Sequence, residues 1–299
     1  MFNETAAEQF IYKNARPFEK AAAEVLLHNK SPEKALNELK KYQNADGGFG
    51  HALEADNWNP NSNPIATNDA LIWLYRMNAL NVDMSITEGI VRYLESHDSF
   101  DETENKWLCC IDSNANYPHA IWWEKKGSGI YGFNPTASLT AFMVCYGNNT
   151  LFFEEVLKES VSYLGTADRI DSDELKCYLL AYELLKAKSI NDIIDLEIMK
   201  RLISERISKA ICPETKKYGV EYVTTPSDFF SGVYLEFASE RIAPLISAEF
   251  DILKDMQKSD GGFDISWEWN TPYSEFEQAR TWWRPRVTLE KLLFYKSFE

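Results

Sequence analysis

Eight of the nine tryptophans in this chain of 299 residues lie outside its helical runs: Trp58, Trp107, Trp122, Trp123, Trp267, Trp269, Trp282 and Trp283. Interleaved with them are His51, Glu54, Asp56, Asp112, His119, Glu124, Asp264, Glu268, Glu275 and Arg280. Indole rings with a few ionisable groups are the expected composition of a small-molecule site. Two catalytic chemistries fit these parts. For an apolar isoprenoid, ring faces stabilise a carbocation and a carboxylic acid kept neutral by burial donates a proton. For a sugar, tryptophans stack on the pyranose face while two carboxylates act as acid and as base or nucleophile. Glu54 or Asp56 opposite Asp264 or Glu268 is the expected catalytic pair, and the other residues above, Trp107 excepted, are the expected ligand contacts. His51, Glu54 and Asp56 also bring three metal-ligand types together, with His119 as a possible fourth. No second fixed spacing supports a metal, and a histidine bonded to a loop carbonyl explains the same residues. No particular cofactor is implied. The non-enzymatic alternative is a module that only binds a ligand or peptide.

Composition bounds these readings. A formal charge of −15 repels a phosphate backbone, which excludes DNA and RNA as expected partners. Five cysteines, odd in number and irregularly spaced, form no disulfide framework, and adjacent Cys109 and Cys110 have no CxxC partner. The start, MFNETAAEQF, carries neither a basic nor an apolar leader, and no run approaches the length of a membrane span. A cytoplasmic protein with a small-molecule ligand is the expectation, folded as one domain over residues 1–299.

Two kinds of helix must position the candidate residues. Residues 32–43, 84–97, 150–164, 192–211 and 244–258 are amphipathic, with stripes such as Ile194, Ile198 and Leu202. Residues 70–80, 136–147, 175–185, 228–238 and 288–295 are apolar or small nearly all round, so protein or a cavity must cover them on every side. Wet and buried helices alternate, which predicts an outer ring around an inner one. Asn63-Pro64, Asn134-Pro135, Thr225-Pro226 and Arg284-Pro285 mark four buried starts, because proline fits the first helical position. The remaining start is Asp171-Ser172-Asp173-Glu174, with Asp171 as cap and Glu174 at the capping-box position. Links from amphipathic to buried helix are long (44–63, 98–133, 212–226 and 259–284) and the returns are short, which gathers the long loops at one rim. An N-terminal helix over 5–29 completes a sixth pair beside the last helix.

Gln43-Asn44-Ala45-Asp46-Gly47-Gly48-Phe49-Gly50 and Gln257-Lys258-Ser259-Asp260-Gly261-Gly262-Phe263-Asp264 are near copies, each following an amphipathic helix, with a weaker relic at Gly129 to Pro135. Asp-Gly-Gly makes a tight turn and the aromatic after it plugs the gap between helices. The pattern resembles the QW-type repeat of squalene and terpenoid cyclases and of protein prenyltransferase β subunits. GHALEADNWNPNSNPIATNDAL, FNPTASLTAF and ARTWWRPRVTLEKL further resemble bacterial prenyltransferase-like proteins. The resemblance implies an all-α (α/α)6 toroid, an architecture also similar to that of several glycoside hydrolases and polysaccharide lyases. The family's chemical motifs are largely missing. Only Asp171 to Glu174 approaches the proton-donating D-x-D-D of cyclases, and neither an Asp-rich diphosphate motif nor the prenyltransferase zinc ligands are found.

Overall fold

The computed structural model describes residues 2–148 and 150–299. Among them are eleven α-helices and one antiparallel ladder pairing Phe100–Asp101 with Lys106–Trp107, so the protein is all-α. The helices are α1 (Glu4–Asn14), α2 (Pro17–His28), α3 (Glu33–Leu39), α4 (Pro64–Arg76), α5 (Met84–Glu95), α6 (Thr136–Tyr146), α7 (Thr150–Thr166), α8 (Ser172–Ala187), α9 (Leu196–Ala210), α10 (Ala243–Met256) and α11 (Phe276–Phe298). No helix among the described residues is long and apolar enough to cross a membrane.

Starts and stops follow local chemistry. Asn63 caps α4 by accepting the Ala66 N–H, with Pro64 in the first turn, and Asp83 caps α5 through Ser85. The run expected as one helix over 5–29 is two. Pro17 opens α2 and holds Arg16 extended, because the proline ring excludes helical backbone in the residue before it. Two further expectations fail. Residues 228–238 form no α-helix but two single 3-10 turns, Pro226–Asp228 and Leu235–Phe237. Gly232 and Tyr234 between those turns adopt positive φ of 81° and 59°, which an α-helix cannot accommodate. The last buried helix starts at Phe276 rather than at Pro285, which lies inside it. Trp282, Trp283 and Arg280 are therefore helical residues.

The chain forms two compact units, a terminal one of Met1–Lys40 with Ile211–Glu299 and a central one of Lys41–Ala210. In the central unit, buried α6 and α8 pack on each other, α7 packs on α6, α9 packs on α8, and α7 touches α9. That is a two-layer arrangement with wet helices outside. Asn68 of α4 accepts from Ser138 of α6 at 2.5 Å and donates to Cys177 of α8 at 3.6 Å, so polar side chains pin the three buried helices together. In the terminal unit, α1 lies along α11 and α2 packs on α3 and α11.

The two Asp-Gly-Gly-Phe turns are built bond for bond alike. Gln43 Nε2 donates to the Gly47 carbonyl at 2.9 Å and to Ile86 in α5 at 3.1 Å. Gln257 Nε2 donates to the Gly261 carbonyl at 2.9 Å and to Asn3, the cap of α1, at 2.9 Å. The second glycine N–H of each turn donates to the aspartate, at 2.9 Å for Asp46 and 3.1 Å for Asp260. The Phe49 N–H donates to Thr67 of α4 at 3.1 Å, and the Phe263 N–H to Thr288 of α11 at 2.9 Å. Gly47 and Gly261, at φ of 101° and 90°, have backbone where a Cβ would sit: the Gly89 carbonyl of α5 and the Ala6 carbonyl of α1. In the second hairpin Trp107, not the Gly129 to Pro135 segment, plays the aromatic part, donating its N–H to Thr136 of α6 at 3.0 Å.

Candidate functional site

In the central unit the two long loops meet. Trp58 N–H donates to the Pro118 carbonyl at 3.0 Å and Ala120 N–H to the Asp56 carbonyl at 2.9 Å. Beneath them Asn57 and Asn59 both donate to Asn114 Oδ1, at 3.3 and 2.9 Å, a buried amide network that fixes the loops. His51 and Ala52 are consecutive left-handed residues, with φ of 56° and 58°. The His51 ring bonds Asn44 Oδ1 at 2.9 Å, Glu54 accepts the Asp56 N–H at 2.9 Å, and Asp56 is only 2% exposed. The Trp58 indole donates to the Ala55 carbonyl at 2.9 Å. His119 is buried and its Nδ1 donates to the Tyr117 carbonyl at 2.7 Å, which fixes its tautomer. These side chains hold the loops in place. Asp112 is solvated and paired with Lys125 at 2.8 Å, Glu124 is exposed, Trp122 is 38% exposed, and Trp123 packs on Ile65, Cys109 and Cys110. Among the described residues no group of three or more His, Cys, Asp or Glu side chains is arranged to hold a metal ion.

In the terminal unit α11 gathers a different set. Trp283 meets Trp267 edge to face with centroids 5.2 Å apart, and Trp267 meets Tyr222 likewise at 5.9 Å. Tyr222 is 69% exposed and both indoles are half-buried, so ring surface is open to solvent. The Arg286 guanidinium covers one face of Trp283 at 4.9 Å, and Arg16, ion-paired with Glu19, lies over Trp282 at 5.1 Å. The buried Nε1–H of Trp283 finds no acceptor among the described residues. Arg280 grips Asp264 with two bonds of 3.0 and 2.5 Å, and Arg284 grips Asp260 with two of 3.0 and 2.9 Å. The Arg280 bonds hold the Asp264 carboxyl below its usual range, so it is an ionised anchor and not a proton donor. Glu268 is exposed, Glu275 occupies the cap position of α11, and Trp269 is buried 6.1 Å from Phe276. Asp264 thus meets Arg280 and Trp267 meets Trp283, both partners on α11, whereas Trp269 belongs to the core.

Two buried ionisable centres remain: Glu249, which the sequence did not single out, and Glu174, which it placed only at a helix start. Glu249 of α10, 0% exposed, accepts from Thr225 at 2.9 Å, from the Ser227 N–H at 2.9 Å and hydroxyl at 2.6 Å, and from Lys291 of α11 at 2.6 Å. Burial alone would lower the Lys291 pKa, but Glu249, Asp228 and Glu290 together outweigh it and hold the ammonium charged, so Lys291 is no base for Ser227. The second centre is Glu174. Asp171 caps α8 through the Glu174 N–H at 2.8 Å, as expected, but the Glu174 side chain does not close the capping box. It crosses to the Phe133 N–H at 2.6 Å and fills the space beside Gly132 that a Cβ would need. Burial pushes its pKa up to about 7 against the pull of the Phe133 N–H, Lys106 and Arg206. The contacts of both centres are invisible to local pattern, because the partners lie 22 to 42 residues away along the chain.

Comparison of the chain with protein-family models, with curated proteins and with solved structures returns no match.

Proposed function

We propose that this protein is an α/α-toroid of the terpenoid cyclase and protein prenyltransferase type that binds a small ring-shaped or apolar molecule at Trp267, Trp283 and Tyr222. Closure of the helices into a ring is supported by the twin turns. The second turn clasps α1 as the first clasps α5, so α1 follows α11 in space as α5 follows α4 in sequence. The observation that carries the binding reading is the open edge-to-face ladder of Trp283, Trp267 and Tyr222, with Arg280, the partner of Asp264, three residues before Trp283 on α11. Flat apolar faces next to fixed polar groups recognise rings. The exposure of Tyr222 favours a carbohydrate as the second ligand class, since an isoprenoid chain calls for deeper enclosure. With Asp264 ionised and Glu54 tied to a backbone N–H, binding is better supported than acid catalysis.

The test is tryptophan fluorescence titration with two probes, farnesyl diphosphate and cellohexaose, on the wild type, Trp267→Ala, Trp283→Ala and Trp58→Ala. One probe is expected to bind, with about tenfold weaker affinity in Trp267→Ala and Trp283→Ala, the loss of one ring contact worth about 1.4 kcal/mol. Trp58→Ala is expected to bind as the wild type does. Equal affinity in all four proteins would remove the site.

A further inference from the structure

A cleft in the central unit lies outside the indole site. It opens between α7 and the hairpin that pairs Phe100–Asp101 with Lys106–Trp107, has a volume of about 520 Å³, and is lined by Asn105, Phe152, Glu155, Val156, Lys158 and Glu159. That volume is within the range of small-ligand sites. Phe152, Glu155, Val156 and Glu159 recur at helical spacing and so share one stripe of α7. Buried Val156 and half-buried Phe152 make an apolar floor, and exposed Glu155 and Glu159 make a rim. The floor is preformed, because the Phe152 ring packs on Phe153 at 5.3 Å, His97 at 5.4 Å and Phe100 at 5.9 Å. Asn105, held in the hairpin turn at a φ of 51°, adds an amide from the opposite side.

We propose that this cleft binds a linear polyamine, an aliphatic chain that carries ammonium groups a few carbons apart. Charge selects the ligand. On the hairpin side Glu102 bonds His97 at 2.8 Å, and Lys106, 3.9 Å from Glu104, turns its ammonium onto the Phe133 ring at 4.4 Å. On the α7 side Lys158 sits 2.7 Å from Glu155, so an ammonium already pairs with one carboxylate of the rim. No cation among the described residues pairs with Glu159. A ligand ammonium meets Glu159 and the face of Phe152, while its methylene stem covers Phe152 and Val156. An anion is repelled by the rim, and a purely apolar molecule leaves the rim unused. A hydrated divalent ion gains nothing from a hydrocarbon floor.

The experiment is calorimetric titration of the full chain with spermidine at about 0.15 M ionic strength, where a Debye length of about 8 Å screens the overall charge of −15. One spermidine per chain is expected to bind. Its affinity should fall about fivefold in Glu159→Gln and again about fivefold in Phe152→Ala, which keeps every charge. Glu240→Gln, an exposed acid of the terminal unit, should bind as the wild type does. Magnesium chloride at the same ionic strength should leave the binding intact. Far-UV circular dichroism checks the fold of Phe152→Ala, and Glu159→Gln alters only an exposed side chain, so the test stands on that variant alone if the other does not fold. Absence of binding, several equivalent sites per chain, or an equal loss in Glu240→Gln overturns the proposal. So does full affinity in a folded Phe152→Ala protein, displacement by magnesium, or tighter binding of tetralysine than of spermidine, which would assign the cleft to a basic protein segment.

Discussion

Glu174 shows what a single buried carboxyl does to the pH response of the protein. Its pKa is raised from 4.5 to about 7, so the native state binds the proton more tightly than the unfolded chain does between those values. The associated stability is fully present below pH 4.5 and is lost as the pH rises through about 7. Glu174→Gln keeps an oxygen for the Phe133 N–H and removes the charge. It is expected to raise the unfolding free energy at pH 8 by up to about 3 kcal/mol and to change little at pH 4, read from urea denaturation at the two values. A variant less stable than the wild type at pH 8 would show that the carboxylate is the favoured form. Asp264 behaves oppositely, because its ionised form is held by Arg280 and persists to lower pH than a free aspartate. Half of this was legible from local sequence. Asp171 to Glu174 reads as a helix start and is one, with Asp171 as its cap. The partner of Glu174 lies 41 residues away, and no local pattern points to a contact made across a fold.

The turn that joins a wet helix to a buried one is the unit of construction. Asp-Gly-Gly-Phe is visible as a repeat because its job is local: glycine takes a positive φ and yields its side-chain space to a neighbouring helix backbone. Gly261→Ala must both strain the backbone and push α1 away, and is expected to destabilise the terminal unit by more than about 2 kcal/mol. Hydrogen exchange should show lost protection in α1 with α5 unchanged, and Gly47→Ala should give the converse pattern. If both alanine variants protected all amides as the wild type does, the turns would not clasp the helices. Where an element depends on distant partners, sequence periodicity misleads. Residues 228–238 are apolar enough for a buried helix, yet Thr225 and Ser227 ahead of them are committed to Glu249, and Gly232 and Tyr234 turn the chain the other way. Likewise Pro285 marks a helix start by local rules, but α11 runs straight through it. That shift moved Trp282, Trp283 and Arg280 from an expected loop onto a helix, where Asp264 meets Arg280, Trp267 meets Trp283 and Arg16 covers Trp282.

At the scale of the molecule, the proposed ring predicts a compact body. A closed toroid of this length should scatter X-rays with a radius of gyration of about 19 Å, and a clearly larger value would mean two units that stand apart. Helix α1 is the joint of the terminal unit. Phe2 packs on Phe263 at 5.8 Å and on Tyr295 at 4.8 Å, Arg284 covers Phe10 at 4.8 Å, and Lys296 pairs with Glu4 at 2.8 Å. A protein lacking residues 1–15 is expected to bind the dye ANS and to lose that binding when the missing peptide is supplied in trans. Dye binding that the peptide leaves unaltered would mean that α1 is dispensable. The clasp on α1 also sets the timetable of synthesis, since Asn3 and Gln257 are 254 residues apart. At translation speeds of roughly 5–20 residues per second, the first helix waits on the order of ten to fifty seconds with Phe10 and Ile11 uncovered. For that interval α1 has only its neighbour α2 to rest on, and the surface of α11 that covers its apolar face does not yet exist.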